Sequence, residues 1–171
     1  MRKLLFKSLL RSPVTEPPPV ADDAELAELA ATLETTARRR TGRSLAIRMV
    51  DAGSCNGCEL EIQALSNAWY DLERFGLHFV ASPRHADVLL VTGPVTHNMC
   101  EALERTWNAM PAPKWVVAAG DCGRDGGCFA ASYAVVGGVD KVLPVDLHIP
   151  GCPPAPVALL KGLLALLEQT A

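Results

Sequence analysis

Six cysteines are the residues of this 171-residue sequence whose type and spacing point most directly to chemistry. Cys55 and Cys58 form a Cys-x-x-Cys element, while Cys122, Cys128 and Cys152 lie in or beside glycine-rich stretches. Thiolates are ligands of zinc and of iron-sulfur clusters. Because disulfides are uncommon in the reducing cytoplasm where we expect this chain, the cysteines favour metal binding over a disulfide framework.

Four of the cysteines are predicted to share one edge of a parallel sheet. Cys55 and Cys58 follow the first predicted strand, Cys122 follows a later strand, and Cys152 follows the last one. In open parallel sheets, ligands bind beyond the carboxyl ends of the strands, because loops from different strands converge there. Cys100 instead lies inside a predicted helix, where we expect an ordinary packing residue.

A Cys-x-x-Cys element by itself is compatible with both zinc and an iron-sulfur cluster. The chain has enough predicted strands and helices to bury a core of its own, so it does not need a zinc ion as a structural staple. The glycines of the cysteine loops allow backbone amides to approach cluster sulfurs, and Pro153 follows Cys152 as in many ferredoxin motifs. These features favour a [4Fe-4S] cluster, with zinc as the alternative.

Other polar residues near the cysteines have simpler interpretations. Glu59 and Glu61 directly follow the Cys-x-x-Cys element and are candidates for proton handling or for interface contacts. Acidic residues in a first helical turn also simply stabilise the helix N-terminus, and we favour this second interpretation. The sequence contains no phosphate-binding P-loop pattern, so it does not support a nucleotide site.

From Ser44 onward, short apolar runs alternate with helical stretches, which predicts an α/β fold of parallel strands joined by crossover helices. Strands are predicted over Leu45–Val50, Leu77–Ala81, Val88–Thr92, Lys114–Ala119 and Val142–Leu147. A glycine-rich loop is predicted over Gly120–Gly127. Helices are predicted over Cys58–Tyr70, Asn98–Met110 and Ala155–Gln169, preceded by one that Asp22 or Asp23 caps and that ends near Thr41.

The first 20 residues differ in character from the rest of the chain. Residues 1–20 are predicted to be a basic amphipathic N-terminal segment and a proline-rich linker, followed by one α/β iron-sulfur domain over residues 21–171. Lys3, Lys7 and Arg11 recur every four residues, with no acidic residue among them. Such a helix either lies on an anionic membrane surface or membrane-embedded partner, or is a frayed terminus.

Composition excludes several classes of protein. A net charge of −3 and a pI near 5.8 argue against nucleic acid as a partner. The longest uncharged stretches are broken by proline and are shorter than the roughly 20 apolar residues of a membrane-spanning helix. A hydrophobic content of 49% and a mean hydropathy of +0.17 are high for a free domain, so we expect a subunit whose apolar surface is partly covered by partners.

Five segments together resemble the small subunit of energy-converting, membrane-bound [NiFe] hydrogenases. The nearest type is that of formate hydrogenlyase or hydrogenase-4, which is homologous to the B subunit (20 kDa family) of respiratory complex I. The likeness covers about residues 44–170. The segments are DAGSCNGCELEI at 51–62, YDLERFG at 70–76, SPRHADVLLVTGPVT at 82–96, AAGDCGRDGG at 118–127 and DKVLPVDLHIPGCPP at 140–154.

The resemblance implies a flavodoxin-like open parallel sheet with helices on both faces and cluster-binding loops at the carboxyl ends of the strands. It also implies one [4Fe-4S] cluster of the proximal type, with Cys55, Cys58, Cys122 and Cys152 at the four ligand positions. Cys128 falls where this family need not have a cysteine, so the resemblance leaves it as a thiol beside the ligands.

The function implied is electron transfer without a complete active site on this chain. The cluster would relay electrons between the nickel-iron site of a hydrogenase large subunit, similar to the 49 kDa subunit of complex I, and a ferredoxin-like subunit. The complex would sit at the inner face of the cell membrane through membrane-arm subunits. The alternative is a complex I-like subunit whose cluster donates electrons to quinone. The complex I type begins its motif with two adjacent cysteines, whereas Asn56 and Gly57 separate the pair here, which favours the hydrogenase.

Overall fold

The computed structural model describes residues 23–169, except for the side chains of Asp23 and Phe75. The expected basic segment at residues 1–20 and the Asp22 cap lie outside the described residues. The division of the chain at residue 20 therefore stays a prediction. Within residues 23–169, no helix combines the length and the apolar character that crossing a bilayer requires.

Helices and strands alternate along most of the described chain, as the apolar pattern predicts. The α-helices are α1 (Asp23–Thr41), α2 (Gly57–Ala64), α3 (His97–Ala109), α4 (Asp121–Asp125) and α5 (Pro156–Gln169). The strands are β1 (Leu45–Asp51), β2 (Leu77–Phe79), β3 (Val88–Thr92), β4 (Val95–Thr96), β5 (Trp115–Ala119), β6 (Val135–Gly137) and β7 (Leu147–Ile149). Short 3-10 helices cover Leu72–Phe75, Pro83–His85, Gly127–Phe129 and Val139–Lys141.

Five of these strands form one fully parallel sheet in the order β2-β1-β3-β5-β7. This is the strand order of flavodoxin-like folds. The chain adds β2 on one side of β1 and the later strands on the other side, so the strand order reverses between β1 and β3. The predicted fold class is confirmed. Strands β4 and β6 pair antiparallel as a separate two-stranded ribbon that the sequence does not reveal, because two or three residues are too few for a periodic pattern.

Two apolar cores cover the two faces of the parallel sheet. Successive residues of a strand point to opposite faces, so Leu90 packs in one core with Ile62 of α2, whereas Leu89 packs in the other with Leu103 of α3. Helices α1 and α5 contribute to the first core, including the fully buried Leu33. Burial on both faces explains why β3 is a continuous apolar run, as is usual for parallel sheets.

The last strand begins later than predicted. The sequence favours a strand over Val142–Leu147, but β7 begins at Leu147, where that prediction ends. The N–H groups of Val142 and Leu143 donate to the Val139 carbonyl and close a 3-10 turn, and Pro144 has no N–H to contribute to a ladder. The Asp146 N–H donates the first backbone hydrogen bond to β5, at the Val116 carbonyl, and the strand register with β5 runs from Leu147 onward.

Helix α2 is also shorter than predicted, since it ends at Ala64 and not near Tyr70. The amides of Leu65, Ser66 and Asn67 each donate to the carbonyl three residues earlier, which tightens the final turn. Asn67 Oδ1 then accepts the N–H groups of Trp69 and Tyr70. This local side-chain competition ends the helix despite the apolar residues that follow.

Asp87 connects the start of β3 to the start of β1. Its carboxylate is buried; Oδ2 accepts the Ala46 N–H at 2.9 Å and Oδ1 accepts a guanidinium N–H of Arg43 at 2.6 Å. The Arg43 side chain is 55% exposed, so its ion pair contributes little to stability. The bond to the buried Ala46 amide is therefore the more important one.

Replacing this carboxylate should destabilise the fold. We expect Asp87→Ala to lower the free energy of unfolding by about 1–3 kcal/mol, because the Ala46 N–H would stay buried without an acceptor. Asp87→Asn keeps a carbonyl oxygen and should lose less. Urea unfolding of the full chain followed by circular dichroism measures both, with the exposed Glu104→Ala as control. Equal midpoints for Asp87→Ala and the control would contradict this role.

Candidate metal centre

The four cysteines expected at one sheet edge line a single small cavity of about 110 Å³. Cys55 and Cys58 come from the loop after β1 and the start of α2, Cys122 from α4 after β5, and Cys152 from the loop after β7. Parallel pairing places the carboxyl ends of these strands side by side. The remaining lining residues are Ser54, Gly93, Asp121, Gly151 and Pro153.

Backbone hydrogen bonds to side chains shape the loop after β1. Asp51 Oδ1 accepts the N–H groups of Gly53 and Ser54 at 2.8 and 2.7 Å. Ser54 Oγ accepts the N–H of Asn56 at 3.0 Å, and Asn56 adopts the left-handed conformation with φ of 72°. Asparagine tolerates this conformation better than most residues. The turn lets α2 begin at Gly57, so that Cys58 lies in its first turn.

Reciprocal hydrogen bonds join the loops that carry Cys122 and Cys152. The Asp121 N–H donates to the Gly151 carbonyl at 2.9 Å, and the Gly151 N–H donates back to Asp121 Oδ1 at 3.1 Å. The glycine-rich stretch predicted to be a loop over Gly120–Gly127 thus contains the short helix α4, which holds Cys122 at a fixed position. Sequence reasoning did not identify the positioning role of Asp121.

Two glycines leave space that the sulfur atoms occupy. A Cβ at Gly120 would lie 2.8 Å from Cys58 Sγ, and a Cβ at Gly127 would lie 2.7 Å from Cys122 Sγ. Both residues also have positive φ, of 85° and 51°. Glycine is therefore required there for conformation and for the close approach of backbone to sulfur.

The thiols differ in exposure, and the deeper ones are held in the neutral form. Burial raises the pKa of Cys58 to about 11, with further contributions from Glu59 and the other three cavity thiols. Burial also raises the pKa of Cys122, with the neighbouring thiols adding to it. Cys55 and Cys152 are exposed. Four thiolates in this space therefore need a bound positive charge, and metal binding would release protons.

Glu59 lies immediately beside these thiols and is only 4% exposed. Both of its carboxylate oxygens are buried without a hydrogen-bond partner among residues 23–169. The sequence favours an ordinary first-turn acid here, and the structure does place Glu59 in the first turn of α2. Its burial, however, has no signal in the sequence.

The two remaining cysteines lie outside the cavity. Cys100 in α3 is half-buried and packs against the second core, as expected of a packing residue. Cys128 is exposed and does not line the cavity, but its backbone N–H donates to Cys122 Sγ and its thiol is close enough to raise the Cys122 pKa. None of the four histidines lines the cavity either.

The donor set and the space both suit a thiolate-bound inorganic group. Four sulfur ligands are the set used by [4Fe-4S] clusters and by zinc sites with four cysteine ligands. A zinc ion holds its sulfurs about 2.3 Å away, so they converge on one point. Among residues 23–169, no three His, Cys, Asp or Glu side chains converge closely enough to hold a single metal ion. The cavity between the thiols is larger than one ion and fits a multi-atom group.

Fold and cavity together define a class of protein: a flavodoxin-like domain with a thiol-lined cavity where the parallel strands end. Comparison with known families is consistent with this class, since residues 55–166 match the family described as NADH ubiquinone oxidoreductase, 20 Kd subunit. The chain belongs to this family. The resemblance inferred from the five sequence segments is thereby confirmed.

Two curated relatives of the chain are named as subunits of a formate hydrogenlyase and of a membrane-bound hydrogenase. Formate hydrogenlyase subunit 7 of Escherichia coli (strain K12) is 47% identical over 156 residues, which are 90% of this chain. The chain spans only 60% of that relative's length. The probable membrane-bound hydrogenase subunit mbhJ of Pyrococcus furiosus is 47% identical over 130 residues, covering 76% of this chain and 78% of the relative.

A solved structure is similar to this chain in both fold and sequence. A chain of the membrane-bound sulfane sulfur reductase, an archaeal respiratory membrane complex, is 38% identical with a TM-score of 0.67. The match covers 81% of this chain and 75% of that one.

A side chain at Gly120 should prevent metal binding in the thiol cavity. We expect Gly120→Ala to lose most of its bound metal after anaerobic purification, because the new Cβ would displace Cys58 Sγ. The measurement is metal per chain by plasma mass spectrometry.

Gly42→Ala is the matched control for this variant. Gly42 also has positive φ, at 69°, but a Cβ there meets no atom within 4 Å. It therefore carries a similar conformational cost of about 1–2 kcal/mol without the steric one. Equal metal contents in the two variants would show that the contact with Cys58 does not matter.

Proposed function

We propose that Cys55, Cys58, Cys122 and Cys152 bind one [4Fe-4S] cluster and that the chain is an electron-transfer subunit of a membrane-bound hydrogenase complex. The observation that carries the proposal is the small cavity lined by these four thiols at the carboxyl ends of β1, β5 and β7. When bound, such a cluster accepts and donates single electrons. The family named for NADH ubiquinone oxidoreductase supports an oxidoreductase role.

The chain's own residues would set the environment of the cluster. Cys58 and Cys122 would be its more deeply placed ligands, and Cys58 Sγ lies 3.9 Å from the Ala119 carbonyl oxygen at the end of β5. The Cys128 N–H donates to Cys122 Sγ, and a hydrogen bond to sulfur stabilises added negative charge. The buried, unpartnered carboxylate of Glu59 acts in the opposite direction. The reduction potential is a balance between these two influences.

The hydrogenase complex is the context that the relatives support. Formate hydrogenlyase subunit 7 and the Pyrococcus hydrogenase subunit are each 47% identical to this chain. The two residues between Cys55 and Cys58 also resemble the hydrogenase type more than the adjacent cysteines of the complex I type. In this proposal a large subunit contains the nickel-iron site and a ferredoxin-like subunit exchanges electrons with this chain. The complex sits peripherally on the inner face of the cell membrane, where residues 1–20 contact the membrane arm.

A complex I-like role is the second candidate, because the matching family is named for a ubiquinone oxidoreductase. The cluster would then donate electrons to quinone in a cavity shared with the large subunit. This candidate uses the same four cysteines and differs only in the acceptor.

Removing any one ligand should remove the cluster. We expect Cys55→Ala, Cys58→Ala, Cys122→Ala and Cys152→Ala each to lose the roughly four irons per chain and the low-temperature EPR signal of the reduced protein. Zinc in place of iron in a colourless wild-type protein would favour the structural zinc site instead.

Cys100→Ala and Cys128→Ala are the matched controls, and both should keep iron and signal. Cys100 packs against a core and Cys128 lies outside the cavity, while the backbone N–H that Cys128 donates survives the substitution. Loss of the cluster in Cys128→Ala together with its retention in Cys122→Ala would overturn the ligand set.

The two candidate acceptors are distinguished in the intact complex. For the hydrogenase, we expect nickel to co-purify with the large partner and hydrogen-dependent dye reduction to resist quinone-site inhibitors. A nickel-free complex whose turnover those inhibitors block would favour the complex I-like role.

A further inference from the structure

A second, larger cavity is lined by the later part of α2 and by residues of β1 and β2. Its volume is about 470 Å³. It opens where β2 ends, so that the residues of β1 after Ile47 have a neighbouring strand only on the β3 side. The lining combines apolar side chains with a few polar ones: Arg48, Met49, Ile62, Gln63, Ser66, Phe79, Val80 and Ala81. None of these residues lines the thiol cavity.

Arg48 is the single ionic group in this lining, and it has no counter-ion in the described chain. Its side chain is half-buried, and Nε is fully buried without a hydrogen-bond partner. Within residues 23–169, Arg48 forms no ion pair. A guanidinium cannot escape this cost by deprotonation, because arginine stays charged in proteins.

A half-buried guanidinium whose Nε has no partner, next to apolar side chains, is unfavourable unless an anion joins it. The cavity places the guanidinium at its wall and the side chains of Ile62 and Phe79 around it. The complementary group is a carboxylate flanked by apolar surface, which would bind the guanidinium in a bidentate manner.

The surface around the cavity suits a protein partner more than a free small molecule. Leu60 precedes Gln63 by one turn of α2, so the two lie on the same side of the helix, and Leu60 is 58% exposed. Trp69, just beyond the end of α2, is 51% exposed. Large apolar side chains exposed beside a pocket of this kind mark protein interfaces.

We propose that this cavity receives an aspartate or glutamate side chain from a partner subunit, with Arg48 as its ion-pair partner and Leu60 and Trp69 covered by the partner's apolar residues. The inference rests on the proposed function only in that the chain works inside a complex. The cluster and its acceptor do not enter it.

Zero-length cross-linking in the intact complex tests the proposal. Arg48→Lys places an amine in the cavity, and a water-soluble carbodiimide joins an amine only to a carboxylate in direct contact. We expect peptide mass spectrometry to find position 48 joined to an aspartate or glutamate of another subunit. The yield should exceed that of the exposed control Arg84→Lys by ~10-fold or more, because a held pair reacts as an intramolecular one.

Three results would overturn the proposal. One is a yield at position 48 no higher than in the control; another is a link only to acidic residues of the same chain, such as Glu16 or Asp22. The third is that the intact complex binds decanoate but not decanol at Arg48, since the cavity would then be open to a free amphiphile. Arg48→Gln should, for its part, weaken retention of the chain in the complex by about 10- to 100-fold.

The EPR signal of the same preparations separates this proposal from the previous one. Arg48 does not line the thiol cavity, so Arg48→Lys and Arg48→Gln should both keep the iron content and the signal of the wild type. A cluster without the cross-link would refute the acidic partner alone. The absence of iron from every variant and from the wild type would refute the cluster alone.

Discussion

The parallel register of β1, β3, β5 and β7 is the constraint on which the rest of the site depends. Only parallel strands end on the same side of a sheet, and the thiols are far apart in sequence, from Cys55 to Cys152. The register is fixed by burial on both faces, since a slip of one residue would turn Leu89 and Leu90 to the wrong cores. Burial of apolar residues in the two cores thus brings together the thiol cavity, whose polar groups by themselves add little to the stability of the fold.

The electrostatic free energy of the thiol cavity is unfavourable until positive charge is bound there. Burial and the neighbouring thiols raise the pKa values of Cys58 and Cys122. The carboxylate of Glu59 next to them has no hydrogen-bond partner in the described chain. The glycines and the paired bonds of Asp121 and Gly151 hold these groups together nonetheless. Arg48 is a second unpaired charge close to α2, so two incomplete electrostatic environments lie around one short helix.

Sequence patterns predict the elements with a clear apolar pattern well, but they do not predict where local hydrogen bonds end or delay an element. Strand β3 has the predicted bounds, because an apolar run buried on both faces is unambiguous. The start of β7 depends on a 3-10 turn at Val139, and the end of α2 depends on Asn67, so neither follows from hydrophobic periodicity. Likewise, the spacing of the cysteines predicts which thiols meet, whereas the burial of Glu59 and the isolation of Arg48 arise only from tertiary packing.

The uneven depth of the thiol cavity has a consequence for the rate at which the proposed cluster would exchange electrons with a partner. Cys58 is buried against the sheet, whereas Cys55 and Cys152 face outward. Tunnelling falls steeply with distance, so a redox partner seated on the outward side would be separated from the cavity by little more than two side chains. A partner docked against the opposite end of the sheet would face the whole length of the strands. The fold would therefore favour electron exchange with the proposed cluster through the side on which Cys55 and Cys152 are exposed.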